Sequence, residues 1–127
     1  MRKEEEKLHR QICTFLRLQY PNLIFNTDLS GIKLTMGQAK KVKLLRSSRG
    51  FPDLVIYEPT ALYHGLFIEI KCESPYKKKG EIKKNKHLIE QSLMIERLKE
   101  KGYYACFVWN FKMFESILTR YLVGERL

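Results

Sequence analysis

Near the N-terminus apolar residues recur at steps of three and four: Leu8, Ile12, Phe15 and Leu16 share one face, and Pro21 stops the pattern. This spacing predicts a first helix from Lys3 to about Gln19. Residues 23–27 read as a short strand, followed by a turn at Gly31 and an irregular stretch to Leu34. Thr35 with Gln38 three residues on has the form of a capping box and predicts a short basic helix to about Leu45. Ser47, Ser48, Arg49 and Gly50 then make a loop. Two strand-like runs, 52–57 and 66–72, are separated by Glu58, Pro59 and a stretch ending at Gly65 that turns the chain back, which predicts an antiparallel pair. Further on, Leu88, Gln91, Ile95 and Leu98 mark a helix over 87–101 that Gly102 terminates. Residues 103–109 form the next strand, and Phe114, Ile117, Leu118 and Tyr121 mark a final amphipathic helix. The order α-β-β-β-α-β-α, a mixed β-sheet flanked by helices, is that of an α/β sandwich. With no repeat or low-complexity linker, residues 1–127 are expected to form a single domain.

Composition narrows the class of partner. Apolar residues make up 44% of the chain and charged ones 30%, a globular balance rather than a disordered or membrane-embedded one. Lys and Arg outnumber Asp and Glu by 24 to 14, a net charge of +10 that favours a polyanion, with nucleic acid the leading candidate. The excess is concentrated in two runs. Lys40, Lys41, Lys43, Arg46 and Arg49 face no acid in their segment, while Lys77, Lys78, Lys79, Lys83, Lys84 and Lys86 carry only Glu81 against them. Each run alone fits a solvated charged loop; flanking one site together, they fit a phosphate-binding surface. Cys13, Cys72 and Cys106 are odd in number and contain no C-x-x-C pair, which argues against a disulfide framework or a zinc site and for a reducing, cytoplasmic setting. The charged first residues and the absence of a long apolar run give no sign of a signal peptide or membrane anchor.

Chemistry enters with the strand pair. Side chains alternate along a strand, so Glu69 and Lys71 project together while Leu66, Ile68 and Ile70 point the other way. Folding the hairpin about a turn near residue 61 or 62 brings Asp53, at the start of the first strand, close to both. Two converging carboxylates suit a hard divalent cation such as Mg²⁺, and a lysine beside them can orient an attacking water or stabilise charge on a phosphoryl group. That combination is the chemistry of phosphodiester hydrolysis. A bare E-x-K is far more often an ion pair on a solvated sheet face. Here it gains weight from Gly50-Phe51-Pro52-Asp53 before it and from the basic runs on either side. His9, His64 and His87 have no metal-ligand spacing and read as surface or packing residues. Tyr57, Tyr63 and Tyr76 lie near the hairpin, where packing is the commoner role and base stacking the rarer one.

At these residues the sequence resembles the PD-(D/E)-x-K nuclease superfamily, and within it the VRR-NUC type, often encoded by phages and bacteria. The resemblance rests on Arg49-Gly50-Phe51-Pro52-Asp53, on Phe67-Ile68-Glu69-Ile70-Lys71, and on Gln91 in a helix closing with Lys101-Gly102-Tyr103. It implies a restriction-endonuclease-like core in which Asp53, Glu69 and the backbone carbonyl of Ile70 bind Mg²⁺ or Mn²⁺ and Lys71 acts on the nucleophilic water. It also implies an acidic residue from the first helix, for which Glu5 is chosen over Glu4 and Glu6 because it lies three residues before Leu8, on the inward face. Gln91 falls on the apolar stripe of its helix and is expected to hydrogen-bond into the site or to be a satisfied core amide. The resemblance further suggests a homodimer acting on DNA junctions or flaps in phage or bacterial replication, recombination or repair. The long lysine-rich insertion between Lys71 and Gln91 departs from the usual family pattern. Two other readings stand beside the nuclease: a non-catalytic basic nucleic-acid-binding protein, and an interaction protein using basic loops against an acidic partner.

Overall fold

The computed structural model describes residues 3–28 and 33–127. The turn expected at Gly31 lies outside the described residues. Among the described residues four helices and four strands follow in the order α1 (Lys3–Gln19), β1 (Phe25–Thr27), α2 (Met36–Leu45), β2 (Leu54–Ile56), β3 (Leu66–Ile70), α3 (Lys86–Glu100), β4 (Tyr104–Val108) and α4 (Phe111–Leu122). The strands form one mixed sheet in the order β1-β2-β3-β4. The antiparallel pair expected from the two apolar runs is present, with Leu54 opposite Ile68 and Ile56 opposite Leu66, a register centred on residue 61. β4 then pairs parallel to β3, Leu66 against Tyr104 and Ile70 against Val108. A parallel neighbour requires a crossover, and α3 supplies it.

The sheet is covered on both faces. Leu54, Ile56, Leu66, Ile68 and Ile70 meet Ile12 and Leu16 of α1 and Phe114, Leu118 and Tyr121 of α4 in the larger core. On the other face Ala105 and Phe107 pack with Ile95 of α3, and Phe67, Leu88 and Leu98 adjoin them. Fully burying one such aliphatic or aromatic side chain stabilises by roughly 1.5–3 kcal/mol, so these two clusters are what hold the layers together. Asn85 caps α3, its Oδ1 accepting from the N–H of His87 and Leu88, and Asn110 caps α4 by accepting from Met113. The capping box read from Thr35 and Gln38 is formed in both directions. The helix that it opens buries none of its residues, so α2 carries Lys40, Lys41 and Lys43 on an exposed surface. The lysine-rich insertion makes a tight turn closed by a bridge between Tyr76 and Ile82. No helix among the described residues is long and apolar enough to cross a membrane.

Candidate active site

The start of β2 and the end of β3 lie side by side at one end of the sheet because the strands are antiparallel. Continued two residues past Leu54 and Ile68, the register would set Pro52 against Ile70. Proline has no N–H to return, so the ladder ends there. Asp53 takes over the open position: its Oδ2 accepts the Ile70 N–H at 2.8 Å, while its own carbonyl accepts the Asp28 N–H at 2.8 Å. The residue is thus held by its carboxylate to β3 and by its carbonyl to the segment after β1, and is only 8% exposed. Just before it, Gly50 has φ +86°, and a Cβ there would sit 2.9 Å from the Glu90 carbonyl. That close approach lets the loop carrying Asp53 lie on the first turns of α3. The Lys71 N–H donates to the Val108 carbonyl at 2.8 Å, which fixes the end of β3 against β4.

Glu69 is the more deeply buried of the two carboxylates. It is 2% exposed, and its Oε2 is buried without a hydrogen-bond partner. Burial above all pushes its carboxyl well above the ordinary carboxylate range; the charge of Asp53 and a hydrogen bond to it add to the rise, as does Glu5, while Lys71 opposes it. Burial and the neighbouring Asp53 thus both favour the protonated form of Glu69. Gln91 repeats the pattern from α3, since its Oε1 is also buried without a partner. Its oxygen is therefore not that of a satisfied core amide, the alternative to a hydrogen bond into the site.

These groups line one cleft of about 360 Å³, whose walls include Glu5, Asp53, Glu69, Ile70, Lys71 and Gln91. Of the three glutamates at the start of α1, Glu5 is half-buried and lines the cleft, while Glu4 and Glu6 are exposed. Among the described residues no group of three or more His, Cys, Asp and Glu side chains is arranged to hold a metal ion. The donors that the cleft does offer are two adjacent carboxylates with one orphaned oxygen, and a hard divalent cation fits such an oxygen set.

The basic residues separate into distinct positions. Arg49 lines the cleft, as does Arg46, which also pairs with Asp28 at 2.9 Å and so fixes the loop after α2 to the end of β1. Lys83 and Lys84 line a neighbouring cavity. Lys77, Lys78 and Lys79 sit on the exposed turn of the insertion, Lys77 within 4.0 Å of Glu81. Two residues read as unremarkable gain a place near the chemistry. His87 lines the cleft one helical turn before Gln91, a signal present in their i, i+4 spacing. His9 is buried against Thr27 at 3.2 Å and feels the charge of Asp53, but burial dominates and lowers its pKa. His64 packs over Gly102 and edge-on to Tyr103. Of the tyrosines, Tyr63 stacks on Tyr121, Tyr76 packs edge-on to Phe107 and Trp109, and Tyr57 is 54% exposed.

No family model matches the sequence, and no curated protein matches it. Among solved structures the chain is similar to one described as a "VRR_NUC domain protein", at 20% sequence identity with a TM-score of 0.64 over 98% of this chain and 93% of that one. At this identity the likeness is one of fold, and it makes the mixed sheet flanked by four helices a restriction-endonuclease-like α/β core.

Proposed function

We propose that this chain is a single-domain, Mg²⁺- or Mn²⁺-dependent nuclease that hydrolyses DNA phosphodiester bonds. The observation that carries the proposal is the buried Glu69 carboxyl, with an orphaned oxygen, held against Asp53 and beside Lys71. Leaving that oxygen without a partner costs the fold, and a cation between the two carboxylates would relieve that cost. Asp53, Glu69 and the Ile70 carbonyl would hold the ion, with Glu5 adding negative charge from α1. When bound, the ion supplies Lewis acidity toward the scissile phosphate. Lys71 positions the attacking water and stabilises the charge that builds on the phosphoryl oxygens. Gln91 offers its free amide oxygen to that water or to the substrate backbone. Arg49 and the lysines of α2 and the insertion supply positive charge toward flanking phosphates, and Arg46 contributes charge from its position beside Asp28.

The solved structure of similar fold is named as a VRR_NUC domain protein, which supports the nuclease reading. The same reading extends to a homodimer that selects junctions or flaps in phage or bacterial DNA metabolism. A second reading, a basic nucleic-acid-binding protein without catalysis, draws on the absence of a three-ligand cluster among the described residues. Cleavage assays over several DNA structures, with Mn²⁺ and with EDTA, separate the two. The nuclease requires activity that vanishes with EDTA and returns with Mn²⁺. Asp53→Asn keeps the side-chain shape but removes its charge, so it should raise the metal dissociation constant and stop cleavage while DNA binding persists. Calorimetric metal titration of both proteins provides the binding half of the test. Wild type that binds no divalent ion even with DNA present, or a mutant that cleaves normally, would move the assignment to the binding-protein reading.

A further inference from the structure

Beyond Lys71 the cleft opens into a second cavity of about 510 Å³, formed where the chain leaves β3 and returns to start α3. The two share Glu5, Lys71, His87 and Gln91. Their charge balance is opposite. The first contains the acids Glu5, Asp53, Glu69 and Glu90 against Arg46, Arg49 and Lys71. The second sets Lys71, Lys83 and Lys84 against Glu5 and Glu73, with His87 at the junction. Glu73 is a weak counterweight, 71% exposed and 3.9 Å from the Lys83 Nζ. The backbone at the start of α3 has little to offer an anion, because Asn85 already accepts from the His87 and Leu88 N–H groups. The attraction in this cavity comes from side chains.

We infer that this second cavity is a subsite for one DNA backbone phosphate next to the scissile one, gripped by Lys83 and Lys84 with His87 beside it. The inference rests on the nuclease reading of the adjoining cleft and deepens it. An acid-rich cleft for a cation beside a base-rich cavity for an anion gives a nucleic-acid strand a fixed path across Lys71. It also divides the insertion. Lys83 and Lys84 contact a particular phosphate, whereas Lys77, Lys78 and Lys79 on the exposed turn only raise the general field.

Labelled DNA oligonucleotides that carry a single neutral methylphosphonate at successive linkages test this, with binding followed by anisotropy in Ca²⁺. In wild type, one or two linkages near the cleft should weaken binding by about tenfold when neutralised, the loss of a charge-assisted contact. In Lys83→Ala/Lys84→Ala the same linkages should cost less than about twofold, because the charge they lose is no longer read. Lys77→Ala/Lys78→Ala/Lys79→Ala should lower affinity evenly and keep the wild-type profile. The subsite is overturned if wild type shows no sensitive linkage, if the double variant keeps the wild-type profile, or if the triple variant erases it. Cleavage of unmodified DNA with Mn²⁺, measured in parallel, separates the two ideas. Cleavage with an unchanged profile removes the subsite alone, and absence of cleavage removes the nuclease reading while the binding map still decides the subsite.

Discussion

At Glu69, burial and neighbouring charge act in the same direction, and both have consequences for stability. Below its ordinary pKa near 4.5 the carboxyl is protonated in the folded and unfolded chain alike, so pH does not shift the balance through this group. Above that value the unfolded chain ionises first while the folded one retains its proton. Stability is therefore lost as pH rises toward the raised folded pKa. In metal-free protein, Glu69→Gln should remove this loss, so the variant's melting temperature should exceed that of wild type at about pH 8 and approach it at about pH 5. Added Mn²⁺ should stabilise wild type at the higher pH and leave the variant unmoved. A variant that melts below wild type across the whole range would contradict the account of a buried carboxyl with one orphaned oxygen. Lys71 belongs to a different class. It helps define the site without filling the core, so Lys71→Ala should leave melting and DNA affinity near wild type and lower cleavage by at least about 10²-fold. Unchanged turnover would remove it from the mechanism.

Among the elements, the loop before β2 decides whether Asp53 arrives at all. Gly50 combines a positive φ with a close approach to the Glu90 carbonyl, so any Cβ is both strained and obstructed. Gly50→Ala should destabilise by about 1–3 kcal/mol, and the residual folded protein should cleave poorly because the carboxylate moves with the loop. Equal melting temperatures for variant and wild type would show that the contact with α3 is dispensable. The apolar spacing of α1, α3 and α4 and the alternation in β3 were legible in the sequence because each buries one face against a layer. The hairpin register was legible too, since a turn near residue 61 follows from the chain between two apolar runs. Two features were not. The mixed sheet was expected, but that β4 lies beside β3 rather than at the other edge depends on how the α3 crossover packs and not on a local pattern. The sheer burial of Glu69 depends on packing from both faces of a strand, whereas alternation alone gives only its direction.

At the scale of the whole molecule the basic residues of the two runs differ in setting, and sequence could locate them without sorting them. Arg46, read from its run as a phosphate contact, is also a structural partner of Asp28, with both side chains mostly covered at 19% and 22% exposure. Lys40, Lys41 and Lys43 are exposed on α2, a helix that buries no residue, so their charges are available to a polyanion at little cost to the fold. Neutralising all three to alanine should leave the melting temperature near wild type. It should also flatten the dependence of log K on log salt by up to about one unit per lost phosphate contact. Arg46→Ala should do the reverse in emphasis: a lower melting temperature from the lost charged hydrogen bond, about 1.5–3 kcal/mol for such a contact, with a change in salt slope no larger than that of one lysine. Anisotropy titrations from low to moderate salt, paired with thermal melts of the same samples, separate the two effects. If the α2 triple variant kept the wild-type slope, α2 would lie away from the DNA and the bound strand would have to run over the Lys83 and Lys84 side of the cleft alone.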